Sequence, residues 1–476
     1  MDLSKVKQLT DWLKSTSKEK ASISARIRVV DEISLGRCIT TDEAVKKNEL
    51  LLSVPNQFLL NYTTVLQHLS YSNNGIDQFL RKRILQFNNR VYATNADEIT
   101  FLYSKLDCEK LLSLTSHQLL TLFICLERKR HESSFWYPLF SCFPELNEYK
   151  AIPMTWNLKI ASEHHVKLFG LLPRSVLNHA KSQSNQFYSD IETIGSVLKE
   201  QDVILTESEY LWAWLAINTR CLYYKLPKYL PITEKTESEA SNITLVPFVD
   251  FINHRCDESN CLARVSKSGY EVLATGNISI GTHLWFTYGP HNDEFLQSEY
   301  GFSTSKMTEK TWDYTSFNRY NTIDLSPIIT KLLCSTTKKK IYTWLKQTRY
   351  YDDYTLGVEN ISSTKDGKVK ISVKPSYRTR IALASLTERN EDFYYDSSQD
   401  NIECPPNLRK FYEGFNDGEY YKKTEAVLLD KILAKIKQEI GLKLEALSKL
   451  DTAGSVEHVA VENLLSNQKF LLNSFD

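Results

Sequence analysis

Two blocks of short strand-like runs, held apart by a long helical stretch, limit what this chain can fold into. In the first block Arg26–Val30, Arg37–Thr40 and Leu50–Val54 carry apolar and β-branched residues between turn signals, and Pro55 stops the third run. The second block, Ile243–Phe251, Tyr270–Ala274 and His283–Tyr288, has the same texture. Residues 61–225 between them are mostly helical in pattern, most clearly over Gln118–Arg130 and Glu209–Leu222. The two blocks therefore read as one β-rich unit split by a helical insertion.

The flanks complete the organisation. Leu3, Val6, Leu9 and Leu13 lie on one face of a short amphipathic helix over residues 3–14. Glu234–Asn242 is polar and reads as an exposed loop. Beyond residue 306 helical patterns return; the clearest is Glu425–Leu450, which Gly441 is expected to break. The division predicted is an N-terminal helix over 1–19, a split unit over 20–305 with its insertion at about 61–244, and a helical C-terminal domain over 306–476. The fold class is α+β, with an all-α C-terminal domain.

Lysine plus arginine balances aspartate plus glutamate, 58 against 58, so no global field draws in nucleic acid, and no nucleic-acid partner is expected. The N-terminus lacks the apolar core of a signal peptide, and polar residues interrupt the most apolar region, Leu111–Leu126, so no membrane partner is expected. The nine cysteines are scattered, without CxxC pairs, and read as reduced thiols in a cytoplasmic protein, with the nucleus as a second compartment. His254, Cys256, Cys261 and His283 include no pair with the spacing of a structural zinc site, so no metal is expected. The expected state is a monomer.

Three segments carry the chemistry. Val246-Pro-Phe-Val-Asp-Phe-Ile-Asn253-His254 is followed by Gly281-Thr-His-Leu-Trp-Phe-Thr-Tyr288-Gly289 and then by Glu299-Tyr300-Gly301-Phe302. Taken singly each is ordinary: an Asn-His pair, a tyrosine closing a strand, a glycine turn. Their order and spacing together resemble the SET family of protein methyltransferases, whose Asn-His and Tyr-Gly segments form a pseudoknot, an exception to unthreaded connections. The form Pro247, Asp250, Asn253, His254 is similar to the branch that holds the plant Rubisco large-subunit methyltransferase and the fungal ribosomal-protein lysine methyltransferases. Leu35-Gly36-Arg37-Cys38-Ile39, followed by Glu49 to Pro55, resembles the N-terminal SET segment, but Cys38 stands where glycine is usual. Ser134-Phe-Trp136-Tyr-Pro138 is similar to the S-x-W-x-P stretch of the family's helical insertion. Arg220 sits about three dozen residues before Asn253, where the family places a cofactor-binding arginine. No cysteine-rich zinc module follows the Tyr-Gly-Phe region; only Cys334 and Cys404 do, far apart.

The resemblance implies a protein-lysine N-methyltransferase that uses S-adenosyl-L-methionine. It assigns the cofactor carboxylate to Arg220, the methionine amine to Asn253, and the adenine surroundings to the His254 backbone. Backbone groups around Leu35, Gly36 and Arg37, with Tyr288 and Phe302, complete the cofactor site. Tyr288 and Tyr300 are the expected catalytic residues, and Leu222, Asp250 and Phe286 the expected lysine channel. A lysine has a pKa of about 10.4, so a narrow apolar channel and a nearby sulfonium are needed to favour its neutral form. The substrate implied is a ribosomal protein, with an elongation factor or cytochrome c as alternatives, and the product is di- or trimethyl-lysine. Two other readings stand beside this one. An animal relative in the branch methylates a histidine of actin, but it carries an asparagine just after its cofactor arginine, whereas Cys221 and Leu222 follow Arg220 here. A non-catalytic SET scaffold that serves as a binding module is the other, with Cys38 as the mark in its favour.

Overall fold

The fold is given by a computed structural model that describes residues 3–15, 21–32, 35–82, 97–201, 203–225, 242–257, 259–308, 311–314, 316–365, 369–397 and 401–475. The loop predicted over Glu234–Asn242 lies outside the described residues except for Asn242. The chain forms two compact units, one of Met1–Tyr149 with Ser182–Gly289, the other of Lys150–Lys181 with Pro290–Asp476. The division differs from the predicted boundary at residue 305. Part of the helical insertion, residues 150–181, is built into the second unit instead of the first.

In the first unit, strands β1 (Ser22–Ile23), β2 (Ile27–Glu32), β3 (Gly36–Thr41) and β4 (Leu50–Pro55) come from the first block. Strand β5 (Leu60–Asn61) precedes the insertion, and β6 (Cys221–Tyr223) follows it. The second block supplies β7 (Ile243–Leu245), β8 (Asn253–His254), β9 (Cys261–Val265), β10 (Gly269–Ala274) and β11 (Trp285–Phe286). The blocks merge as the pattern requires, in a sheet ordered β1-β4-β10-β9. A second sheet, β5-β7-β6, pairs Leu60 and Cys221 with the same residue, Leu245, and so sews both ends of the insertion to one strand. Among the described residues only β8 and β11 pair in parallel, Asn253 with Trp285 and His254 with Phe286. The predicted run Ile243–Phe251 is not one strand. Pro247 lacks an N–H, Phe248 takes a left-handed φ of 70°, and Val249–Phe251 turn as a 3-10 helix.

The insertion is held by capped, buried helices. Ser116–Arg128 starts at a capping box of Thr115 with Gln118, and Glu207–Arg220 at one of Thr206 with Glu209. The S-x-W-x-P stretch serves this scaffold. Ser134 Oγ donates to the fully buried Glu127 at 2.6 Å, and Glu127 also accepts from Tyr103 at 2.9 Å and Arg130 at 2.7 Å. Trp136 is fully buried and lies 6.1 Å, ring to ring, from Trp12. Thus the N-terminal helix, Leu3–Ser15, packs into the first unit and is no separate domain.

The second unit is largely helical, with Lys422–Ser448 and Val456–Asn473 its longest C-terminal helices. It also holds an antiparallel sheet of Thr322–Asp324, Thr355–Ser363 and Val369–Pro375, where an all-α domain was expected. The signal was present in Val369-Lys-Ile371-Ser-Val373, whose alternate residues are the buried ones. Gly441 does not break its helix. It lies at an exposed position with open space around it, so it costs only propensity, about 1 kcal/mol.

One buried acid in this unit is costly. Glu294, on the helix Asp293–Tyr300, accepts from Ser175 and, at 2.6 Å, from Gln468. Burial pushes its carboxyl up to about 7, and Asp324 and Asp293 push in the same direction against the two hydrogen bonds. The unfolded chain releases that proton near the ordinary carboxylate value, so folding stability falls as pH rises from there to about 7. At roughly 1.4 kcal/mol per pH unit, the loss is about 3 kcal/mol. Glu294→Gln is therefore expected to raise the urea midpoint at pH 8 and to leave it nearly unchanged at pH 4.5. An equal shift at both pH values would assign the gain to something other than the buried charge.

Candidate active site

The site of the first unit is built where β8 and β11 run side by side. His254, at the end of β8, accepts the Tyr288 N–H on Nδ1 at 3.0 Å, and the two rings lie 5.0 Å apart. Tyr288 in turn donates its hydroxyl proton to the Ile252 carbonyl at 3.0 Å. Burial pushes that hydroxyl up to about 12, so it stays protonated at neutral pH. The Arg255 N–H donates to the Phe286 carbonyl at 2.8 Å, which extends the parallel pairing by one residue. Phe286 is buried within β11 opposite His254.

Asn253 reaches the first block. Its Nδ2 donates to the Leu35 carbonyl at 3.1 Å, beside Gly36, whose φ of 63° favours glycine and whose missing side chain would meet nothing within 4 Å. Cys38 lies inside strand β3, does not have positive φ, and its side chain is fully buried. The departure from glycine is absorbed without distortion.

Arg220 ends its helix and donates from Nη1 to Asp250 Oδ2 at 2.9 Å. The Asp250 side chain is buried and that of Arg220 half-buried, and Arg220 Nε and Asp250 Oδ1 have no hydrogen-bond partner among the described residues. The Arg37 guanidinium lies over the Phe251 ring at 5.5 Å and donates to the Cys142 carbonyl. Burial lowers its pKa, and the charge of Arg220 lowers it further. Tyr149 is also buried; burial raises its hydroxyl, and Arg220 pulls it back. Two guanidinium groups and one carboxylate thus form a largely buried cluster beside Tyr149 with a surplus positive charge. Such a cluster suits a carboxylate.

The structure brings Leu35, Asn253, His254, Phe286 and Tyr288 together, and Arg37 with Arg220 and Asp250. Asp250, expected in a lysine channel, pairs instead with Arg220. Leu222 stands in β6 opposite Thr244. Tyr300 and Phe302 belong to the second unit, their rings 6.0 Å apart across Gly301, which ends a helix at a left-handed φ of 77°. Sequence reasoning used only the Arg37 backbone and passed over Tyr149. Neither side chain sits in a motif whose spacing reports its direction.

Comparison with known proteins agrees with this geometry. The SET domain family matches residues 36–289, and the chain belongs to that family. Residues 321–474 match the family described as Ribosomal lysine N-methyltransferase 2 C-terminal domain. Ribosomal lysine N-methyltransferase 2 of Saccharomyces cerevisiae is 29% identical over 511 residues, which cover 98% of this chain and 96% of the yeast protein. Two solved structures share the fold: the SET domain of LSMT bound to lysine and AdoHcy, with a TM-score of 0.54, and Rubisco LSMT bound to AdoMet, with 0.53. Each is 13% identical to this chain, covering 98% of it and 90% of the solved chain.

The buried charges make a prediction that needs no ligand. Arg220→Ala strands Asp250 and is expected to cost roughly 3–5 kcal/mol, whereas Arg220→Met with Asp250→Asn should regain most of it. Thermal unfolding of the three proteins checks this, and a wild-type melting temperature in Arg220→Ala would show that water reaches the pair.

Proposed function

We propose that the chain is a protein-lysine N-methyltransferase that takes its methyl group from S-adenosyl-L-methionine and acts on a ribosomal protein. The observation that carries the reading is the joining of the Asn253–Leu35 link, the β8–β11 pairing and the buried Arg37–Arg220–Asp250 cluster in one unit of SET fold. The names of the yeast relative and of the C-terminal family support a ribosomal substrate, and the ligands named for the LSMT structures support the cofactor.

When bound, the cofactor supplies an electrophilic methyl group on a sulfonium, whose charge disfavours a second cation nearby. In this reading Arg220 Nε, with Arg37 behind it, receives the carboxylate. Asn253 Oδ1, the acceptor end of an amide tied to Leu35, takes the amine. Leu35 and the start of β3, open above Gly36, would lie along the cofactor. The His254 ring holds the Tyr288 backbone, and its own backbone borders the adenine. Tyr288 keeps its proton on Ile252 and points lone pairs at the reacting centre, so it orients the amine and takes no proton from it. Leu222 and Phe286 line the lysine channel in this reading. For Tyr300, as a catalytic residue, and Phe302, as a cofactor neighbour, the support is the family resemblance of the Glu299–Phe302 segment alone. We take the enzyme to work as a monomer in the cytoplasm, with the nucleus as the alternative; nine scattered cysteines without a CxxC pair support a reducing compartment.

Purified chain with labelled cofactor and ribosomes from a strain that lacks the enzyme tests the proposal. The expected result is one labelled ribosomal protein carrying methyl-lysine. Methyl-histidine would overturn lysine specificity, and cofactor binding without transfer would leave a scaffold.

Two variants test the mechanism. Tyr288→Phe loses the oriented oxygen but no ground-state contact to the cofactor, so turnover should fall ~100-fold with cofactor affinity within about threefold. Turnover close to wild type would remove Tyr288 from the reaction. Phe286 carries no hydroxyl that could hold a water where a methylated amine must rotate. Wild-type enzyme is expected to reach di- or trimethyl-lysine, and Phe286→Tyr to stop earlier. Intact-mass analysis of exhaustively treated substrate decides, and a wild-type product with one methyl group ends the argument.

A further inference from the structure

Apart from this site, three side chains with ligand atoms converge from distant stretches of the first unit. In the β2–β3 hairpin Val30 pairs with Cys38 and Glu32 with Gly36, so Glu32 and Cys38 stand on one face, one step apart. A third segment joins that hairpin: Thr40 bridges to His283, and the Leu284 N–H donates to the Ile39 carbonyl at 2.8 Å. This register brings His283 to the same face. Its Nε2 lies 2.9 Å from Glu32 Oε1, and the ligand atoms of Glu32, Cys38 and His283 all fall within 4.8 Å of one another. Cys38 is fully buried and forms the floor, while the side chains of His283 and Glu32 are 21% and 40% exposed and form the mouth.

We propose that Glu32, Cys38 and His283 form a zinc site, with three protein ligands and a fourth position open to solvent. A thiolate, an imidazole and a carboxylate are the donor types zinc accepts together. With bonds of about 2.0–2.3 Å, neighbouring ligands of a tetrahedral ion lie roughly 3.3–3.8 Å apart, so the observed spacing needs only small side-chain shifts. The ion replaces the Cys38 thiol proton, which leaves to solvent, and separates His283 from Glu32 by taking both as ligands. Burial and the charges of Glu32 and Asp31 push that thiol up to about 11 in the absence of a cation, and the same negative surroundings favour a divalent one. No CxxC or HxxxH spacing announces the site, because His283 is 251 positions from Glu32. Its place gives it a structural role. The ion ties the hairpin that carries Gly36 and Arg37 to the segment that leads through β11 to Tyr288.

The test uses the full chain, stripped with a chelator and titrated with cobalt(II) and then zinc, without cofactor or substrate. It therefore reads independently of the methyltransferase proposal. One equivalent of cobalt is expected, with the absorption of a tetrahedral ion and a thiolate-to-cobalt charge-transfer band, both lost when zinc displaces it. Cys38→Ser should abolish the charge-transfer band. Glu32→Gln, at a half-exposed position that cannot disturb the core, should weaken zinc at least tenfold. Failure to bind one equivalent, survival of the band in Cys38→Ser, or unchanged zinc affinity in Glu32→Gln would each overturn the site. If Cys38→Ser does not fold, the Glu32→Gln result decides alone.

Discussion

Two residues of β8 lie parallel to two residues of β11, and the first unit's chemistry hangs on that contact. A ladder this short is weak in itself, since each net hydrogen bond is worth only about 1 kcal/mol. Side chains reinforce it from both edges. Asn260 donates to the His283 carbonyl at 2.7 Å and accepts the Trp285 N–H at 2.8 Å, acting as one more rung of backbone. On the other side the His254 ring takes the Tyr288 N–H, and the Tyr288 hydroxyl returns to Ile252. The Asn-His pair is thus half structural: Asn253 reaches Leu35, and His254 fixes where Tyr288 points.

The buried charges follow from the same geometry. Pro247 and the left-handed Phe248 turn the chain so that Asp250 meets Arg220 at the end of its helix. Holding a bulky residue at positive φ costs about 1–3 kcal/mol, which the surrounding packing must offset. Phe248 is buried, with its ring 5.6 Å from Phe251. Phe251 in turn lies under Arg37, so one strained turn positions both the carboxylate and the aromatic face of the cluster. A pair of arginines would repel at this depth without Asp250. With it, the cluster keeps one surplus positive charge, which is the condition for receiving an anionic group.

How much of this could be read beforehand depended on range. Strands and helices declared themselves where periodicity was local, as in Leu50–Pro55 or Ser116–Arg128. The motif order gave the fold and named Arg220, Asn253 and Tyr288, because family spacing records contacts that no single segment reveals. What escaped was non-local or conformational. Nothing in the sequence signals that the Arg37 side chain turns toward Arg220, that Phe248 takes positive φ, or that Glu32, Cys38 and His283 share a face. The C-terminal sheet escaped for another reason: its alternation spans only a few residues amid stronger helical patterns.

The division of the insertion shows why texture alone misplaces boundaries. Residues 150–181 read as helical like their neighbours, yet their buried groups find partners in the second unit. Trp156 is fully buried and stacks with His165, which lies 3.6 Å from Glu457. Lys443 donates to the Leu172 carbonyl at 2.9 Å, His179 meets Glu299, and Gln297 donates to the Ala151 carbonyl at 2.8 Å. Gly301, whose turn follows the helix bearing Glu294 and Tyr300, has Ile152 and Ala151 packed where a side chain would stand. A chain ended at residue 305 would retain Gln297 and Gly301 but lose Lys443 and Glu457, leaving this helical segment only part of its packing. The C-terminal region is therefore part of the framework around Tyr300, and truncation at residue 305 would disturb the folding of that segment.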